Sequence, residues 1–393
     1  MIGHCLVVAD TATGFLRVLN PSASALWLLA VEGRRTADAL AAQFAGLFGL
    51  ERDRAGADVA ACLEQWRAFG WLETGEGGTV GLAHDSTPMT AAAIDRLVDR
   101  DPDAPLPVHA ILSSRVHVLR DTPFRVTLAA GPDAGFEEIL PRVGAFLTGF
   151  PATDAAAEGE VLMIVGCDEI VVRWPGGTVA TADGSAGVAR LVLAIYQLAY
   201  PRESIVATLH AAALTGPCGT FLMPGRSGNG KSTLSAYLAG QGWRYLADDS
   251  IGLASMGEGR WPTVLPFPSA VGLKPGTWPV LAPLYPAIEA LPVVPYAGKT
   301  ARFLDLTTLP LPEREACVPR AIVFPRYEAG HPGTLRALEP AEAMVGVAEA
   351  GLRTGETLDS GRIDAVLAFL EAVPSHAMTF GDLAWAERTL AAL

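Results

Sequence analysis

Residues 210–249 read HAAALTGPCGTFLMPGRSGNGKSTLSAYLAGQGWRYLADD, and the architecture of the larger part of the chain turns on them. An apolar run, Thr220–Met223, leads into Gly225-Arg226-Ser227-Gly228-Asn229-Gly230-Lys231-Ser232, which fits the pattern G-x-x-x-x-G-K-[S/T]. Glycines let the backbone turn tightly and present successive N–H groups to phosphate oxygens. Lys231 is placed to bridge β- and γ-phosphates, and the Ser232 hydroxyl suits Mg²⁺. The helix expected over Lys231–Ala239 turns its positive end toward the anion. Gly225 through Thr233 are therefore the expected nucleotide contacts, with ATP and Mg²⁺ as the bound pair. A chance glycine-rich turn is the alternative, but strand, loop and helix fall in register around the motif.

A second strand, Trp243–Ala247, ends in Asp248-Asp249. A short helix between two strands implies a right-handed crossover and direct parallel pairing. Both strand ends then lie on one sheet edge, where α/β sheets bind ligands, and the aspartates face the loop. One carboxylate can take a proton from an acceptor hydroxyl while the other helps hold Mg²⁺. An Asx turn or a helix cap is the plainer explanation for such a pair. His210 precedes the apolar Ala211–Leu214 and, taken alone, reads more readily as a packed, hydrogen-bonded histidine than as a catalytic one.

For the chain as a whole, 393 residues suffice for two or three domains, and a 50% hydrophobic composition argues against extended disorder. The net charge of −13 disfavours nonspecific binding to nucleic acid or anionic membrane. Cys5, Cys62, Cys167, Cys218 and Cys317 are scattered and never spaced C-x-x-C, which fits reduced thiols rather than a disulfide framework or zinc site. The start lacks the pattern of a signal peptide. The longest apolar stretch, Leu191–Tyr200, is half of a bilayer span. The expected location is cytoplasmic, with no nucleic acid and no membrane as partner.

Residues 1–75 read as a small domain. Strands are expected at Cys5–Ala9 and Phe15–Leu19, then a helix capped by Ser22, a second from Thr36, and a third over Ala57–Gly70. The third helix carries Val59, Cys62, Leu63, Trp66 and Phe69 on one face, with Gly70 as its stop. Glu73–Asp85 reads as linker and Thr90–Asp99 as a polar helix, within a connecting segment of 76–104. Residues 105–393 form the remaining domain, with its catalytic core at 205–275. Strands are expected at Val116–Leu119, Arg125–Ala129, Val161–Val165 and Glu169–Trp174, followed by a helix at Ala186–Tyr200. From Ser204 strands and helices alternate, the mark of an α/β layer; later come a strand at Ala321–Phe324 and helices at Pro340–Arg353, Arg362–Ala372 and Gly381–Leu393.

His210-Ala-Ala-Ala-Leu214, Gly225–Ser232 and Gly242–Asp249 resemble the catalytic core of HPr kinase/phosphorylase, with weaker similarity over about 105–393. The resemblance implies an α/β fold with a mixed sheet and a phosphoryl-transfer site of His210, Lys231, Ser232 and Asp249, Asp249 taking the proton from a serine hydroxyl. It does not extend to that family's glycine- and arginine-containing stretch with a metal-binding glutamate; Leu265–Gly276 stands there, with Lys274 as a candidate phosphate or substrate contact or a solvated loop lysine. Relatives assemble as rings, so a homo-oligomer is among the expectations.

Val18-Leu-Asn-Pro-Ser-Ala23 with Trp27, Glu32–Thr36 and Asp58 to Leu72 resemble a PqqD-type peptide-recognition domain. That likeness implies a winged helix-turn-helix which binds the leader of a precursor peptide as an added strand. Together the two resemblances imply a kinase that modifies a Ser or Thr of a ribosomally made precursor peptide. A small-metabolite kinase and a non-catalytic nucleotide switch remain as alternatives. DNA binding is disfavoured, because the third helix offers only Arg67 against Asp58 and Glu64.

Overall fold

The computed structural model describes residues 6–9, 16–31, 35–74, 79–82, 98–101, 104–119, 121–131, 139–200, 205–255, 261–296, 299–307, 317–352 and 360–393. The chain divides into two compact units, Met1–Ile94 and Asp95–Leu393.

The first unit begins with an antiparallel hairpin of β1 (Leu6–Ala9) and β2 (Leu16–Leu19). It continues through α1 (Pro21–Val31), β3 (Arg35–Thr36), α2 (Ala37–Phe48), α3 (Arg52–Ala68), β4 (Leu72–Thr74) and β5 (Thr79–Leu82). Ser22 is not the cap of α1. Asn20 Oδ1 accepts the Ala23 N–H at 2.8 Å, and the Ser22 hydroxyl donates to that same oxygen at 2.9 Å. Pro21 takes the first helical position, where its missing N–H would have had no intrahelical partner. Thr36 does cap α2, its Oγ1 accepting the Ala39 N–H at 3.2 Å.

The third helix starts at Arg52, a turn before the expected Ala57, because Ala55 is fully buried and packing recruits the polar first turn. Gly70 follows it with a φ of +72°, the left-handed conformation that ends helices. Val59, Leu63 and Trp66 bury against Leu26, Leu40 and Phe44, so this stripe is core rather than groove. The expected linker from Glu73 instead supplies β5, which pairs antiparallel with both β3 and β4. Three helices with a three-stranded sheet make the winged-helix form. Most of the expected helix Thr90–Asp99 lies outside the described residues; its end, Val98–Asp99, is a strand.

The second unit opens with β6 (Val98–Asp99), β7 (Ala110–Leu119), β8 (Thr122–Ala130), α4 (Ile139–Leu147), β9 (Gly159–Val165), β10 (Ile170–Trp174), β11 (Gly177–Thr181) and α5 (Gly184–Ala199). Its strands form one sheet in the order β6-β11-β10-β9-β8-β7, and α5 packs on it. Next come β12 (Ile205–Leu209), β13 (Ala211–Gly216), β14 (Gly219–Pro224), α6 (Lys231–Gly240), β15 (Arg244–Ala247), β16 (Ile251–Ala254) and β17 (Thr263–Leu265). The chain then runs through β18 (Val271–Leu273), α7 (Trp278–Leu281), β19 (Val294–Tyr296), β20 (Lys299–Leu304), β21 (Pro319–Tyr327), β22 (Thr334–Leu338), α8 (Pro340–Glu349), α9 (Ser360–Ala372), β23 (Ser375–Phe380) and α10 (Leu383–Ala391).

The central sheet has the order β15-β13-β14-β21-β23-β22, mixed in direction. Its core includes Leu214, Phe221, Leu234, Leu238, Val323 and Phe380, all fully buried. The direct parallel pairing expected between the strand before the loop and the strand of Trp243–Ala247 does not occur. β13 stands between them, antiparallel to both β14 and β15. A two-residue turn, Pro217-Cys218, closes the β13–β14 hairpin, and so short a closure costs less entropy than bringing β15 alongside. Because both are antiparallel to β13, β14 and β15 still run the same way and end on the same edge.

Trp66→Ala should destabilise the first unit by about 3–5 kcal/mol. Limited proteolysis of the full chain should then cut within residues 1–94 much faster than in the wild type, whereas Glu64→Ala, on the exposed side of α3, should leave the rate unchanged.

Candidate functional site

The register of β13 decides which residues meet. Ala211 pairs with Pro224 on one side, and Ala213 with Ala247 on the other. One step beyond the strand, His210 therefore stands beside Gly225 and within reach of the residues after Ala247. Its carbonyl accepts the Gly225 N–H at 3.3 Å, and its own N–H donates to Ala350 O, just past α8, at 2.9 Å. His210, the glycine-rich loop Gly225–Ser232 and the aspartate pair all lie at one sheet edge.

The loop has the backbone its glycines permit. Gly228 and Gly230 adopt φ of +96° and +88°. A Cβ on Gly230 would stand 2.9 Å from Tyr327 Cβ, so a side chain there is excluded by contact as well as by conformation. Tyr327 N–H donates to Asn229 O at 3.1 Å and ties the loop to the end of β21. Lys231 is only 4% exposed, and its ammonium donates to Gly225 O at 2.6 Å and Arg226 O at 3.1 Å. Burial lowers its pKa, the carboxylates of Asp248 and Asp249 oppose that shift, and the neighbouring Lys274 charge adds to it. Arg226 and Ser227 are exposed; Arg226 pairs with Glu349 at 3.2 Å. Thr233 sits half-buried in the first turn of α6.

Asp248 is 4% exposed, hydrogen-bonded to Ser232, and its Oδ1 has no partner. Burial first, then the repulsion of Asp249, push its pKa up to about 6, against the Ser232 hydrogen bond and the charges of Lys231 and His210. A buried carboxylate with one oxygen bonded to the loop serine and the other without a donor is the feature a divalent cation would complete. Among the described residues no cluster of three or more His, Cys, Asp and Glu could hold a metal alone.

Asp249 is the only non-glycine residue with positive φ among the described residues, at +72°. Such a conformation costs on the order of 1 kcal/mol or more and persists where the surroundings over-determine it. Ser250 N–H donates to Asp248 O at 2.9 Å. The Tyr196 hydroxyl clamps the next residues, donating to Ser250 O at 3.1 Å and accepting the Gly252 N–H at 3.0 Å. Tyr196 itself is stacked on Phe267, centroids 4.2 Å apart. The turn swings the Asp249 side chain, half exposed, toward His210, whose Nδ1 donates to Oδ1 at 3.0 Å. Desolvation raises the Asp249 pKa, but the His210 hydrogen bond and the charges of His210, Lys231 and Arg142 outweigh it and hold the carboxyl below its ordinary range. The bend after the strand, with the Ser250 N–H on Asp248 O and the left-handed backbone of Asp249, is what aims Asp249.

Three further groups reach this place from segments where the sequence reading expected no element. Arg142 comes from α4, its guanidinium 4.6 Å from the centre of the Tyr296 ring. Tyr296, at the end of β19, is hydrogen-bonded to Asp249; burial and that carboxylate push its phenol up to about 12. Lys274 donates from Nζ to Ser227 Oγ at 3.3 Å. Arg142, Tyr296, Ser232, Asp248 and Asp249 line one cleft. The spacing Ile139, Val143, Leu147 is helical and could have announced α4; no local pattern ties Tyr296 to the loop.

Residues 5–72 match the family model described as "Coenzyme PQQ synthesis protein D (PqqD)". The first unit therefore contains a PqqD domain. Among solved structures the chain is similar to the Hpr(Ser) kinase/phosphatase from Coxiella burnetii, at 14% identity over 47% of this chain and 93% of that one, with a TM-score of 0.23. No curated protein matches the chain. No helix among the described residues is long and apolar enough to cross a membrane, and none of Cys62, Cys167, Cys218 and Cys317 forms a disulfide.

The raised Asp248 pKa has a signed consequence. Between the unfolded value near 3.9 and the folded value of about 6 the native state binds the extra proton; above that window it carries an ionised, buried carboxylate at a cost. Asp248→Asn should then raise the melting temperature of the nucleotide- and metal-free protein at pH 7.5, by up to about 2–3 kcal/mol in stability, with the gain vanishing near pH 4. Thermal melts of both proteins across that range check the sign.

Proposed function

We propose that the protein transfers the γ-phosphoryl group of ATP to a serine or threonine hydroxyl of a leader-bearing precursor peptide. The observation that carries the reading is the strained Asp249, turned by its left-handed backbone to His210 at the mouth of the phosphate loop. A carboxylate kept ionised beside a phosphate cradle suits abstraction of a hydroxyl proton.

The loop residues Gly225–Thr233 would hold the phosphates through backbone N–H groups and the N-terminus of α6. Lys231 would exchange its two carbonyl partners for β- and γ-oxygens. Ser232 and Asp248 would hold Mg²⁺, whose chemistry is to neutralise charge on the β- and γ-oxygens. Asp249 would receive the proton from the acceptor oxygen as that oxygen bonds to the γ-phosphorus and the bond to the β-phosphate oxygen breaks, with ADP leaving. His210 would fix the Asp249 rotamer through its Nδ1–H. The PqqD domain supports a peptide partner, and holding a leader there would raise the local concentration of the acceptor.

Asp249→Asn in the full chain should lower phosphate transfer by about 10²-fold or more while leaving ATP affinity within about twofold, since it removes a proton acceptor and no phosphate contact. Equal turnover of the two proteins with ATP, Mg²⁺ and a candidate precursor, followed by mass spectrometry, refutes the role. Tethering has its own signature. Excess leader peptide should inhibit transfer to the full precursor competitively yet leave transfer to a leaderless acceptor unchanged; inhibition of both, or of neither, removes the leader from the scheme.

A further inference from the structure

Lys274 lies outside the Gly225–Ser232 motif in sequence, yet its Nζ donates to Ser227 Oγ within that loop at 3.3 Å. It is held there by its own segment. Lys274 O accepts from both the N–H of Thr277, at 3.0 Å, and the Thr277 hydroxyl, at 2.8 Å. Trp278 Nε1 donates to Leu273 O at 2.8 Å, and the Arg302 guanidinium lies 4.1 Å over the Trp278 ring. Leu273 in turn pairs with Arg302 across β18 and β20. The backbone that carries Lys274 is thus fixed from three sides, while its side chain rests half-buried on a neutral hydroxyl.

That arrangement brings two ammonium groups to one loop. Lys231 and Lys274 both donate to this one loop, Lys231 to the Gly225 and Arg226 carbonyls and Lys274 to the Ser227 hydroxyl. Two ammonium groups brought to one loop repel each other, in a chain whose net charge is −13 and which has carboxylates in plenty for pairing. Lys231 reaches the loop from inside, through Gly225 and Arg226 carbonyls, and Lys274 from the outer side, through Ser227. Together they flank the stretch where the outermost phosphate of a nucleotide would stand, facing Asp248 and Asp249.

Resting on the kinase reading, we infer that Lys274 is a second phosphate-binding cation, which swings from Ser227 Oγ to a γ-phosphate oxygen and there stabilises the charge of the transferring phosphoryl group. Because the contact is to the γ-phosphate, it distinguishes nucleoside triphosphate from diphosphate. Lys231 spans both phosphates and does not.

The test is a binding measurement on the full chain with Mg²⁺, comparing ADP with the non-hydrolysable imido analogue of ATP by calorimetry. Lys274→Ala and Lys274→Met should each weaken the analogue by about tenfold and ADP by less than about twofold, and Lys274→Arg should retain most of the wild-type affinity for the analogue. Equal losses on the two nucleotides, or no loss on either, overturn the inference while leaving the kinase reading in place. Both truncating variants should fold, because the fixing hydrogen bonds come from the backbone of residue 274. If the wild-type protein binds neither nucleotide, the phosphate-loop reading falls and this inference with it.

Discussion

Burying an ammonium and a carboxylate in one small volume is the constraint around which the second unit is arranged. Lys231 and Asp248 are each 4% exposed. Neither charge is tolerable there alone, since a buried ion without compensation is strongly unfavourable. Lys231 is satisfied by two loop carbonyls, which forces the loop to curl over it, and that curl needs the left-handed glycines. Asp248 is satisfied only in part. Ser232 takes one oxygen, the other has no donor, and the group answers by holding its proton to higher pH. A site that stores an unmet electrostatic demand is suited to a ligand that brings both negative phosphates and positive metal.

The scaffold's contribution is to bring opposite-sign groups to one edge without letting them collapse on each other. β13 does most of this. As an antiparallel strand between two that run together, it begins where they end, so His210 is delivered to the place where the loop and the aspartates start. Tyr196, from a helix on the other sheet, fixes the turn after Asp249 by accepting one backbone bond and donating another. Arg142 and Tyr296 line the cleft beside Asp249, and Arg142 adds positive charge to the carboxylate's surroundings.

The first unit is built on different physics. Its helices pack through Leu26, Leu40, Phe44, Leu63 and Trp66, with Trp27 edge-on to Trp66 and to Trp71 at 5.1 and 5.4 Å. It holds no buried charge cluster among the described residues, and its short strands β3, β4 and β5 are defined by pairing rather than by composition.

Local pattern was enough to announce the loop, its helix, the strand ending in two aspartates, and the helical stripe of Val59, Leu63 and Trp66. Each is legible in the sequence because turn chemistry and periodicity act over a few residues. Long-range packing, in contrast, placed β13 between β14 and β15 and drew β5 from residues read as linker. It also chose the distant residues that reach Asp249, its following turn and the loop. Arg142, Tyr196, Lys274 and Tyr296 lie 25 to 107 positions from Asp249 in the chain and share no spacing with the motif. Hydrogen bonds and charge act through space, and only the folded register brings such residues within their range.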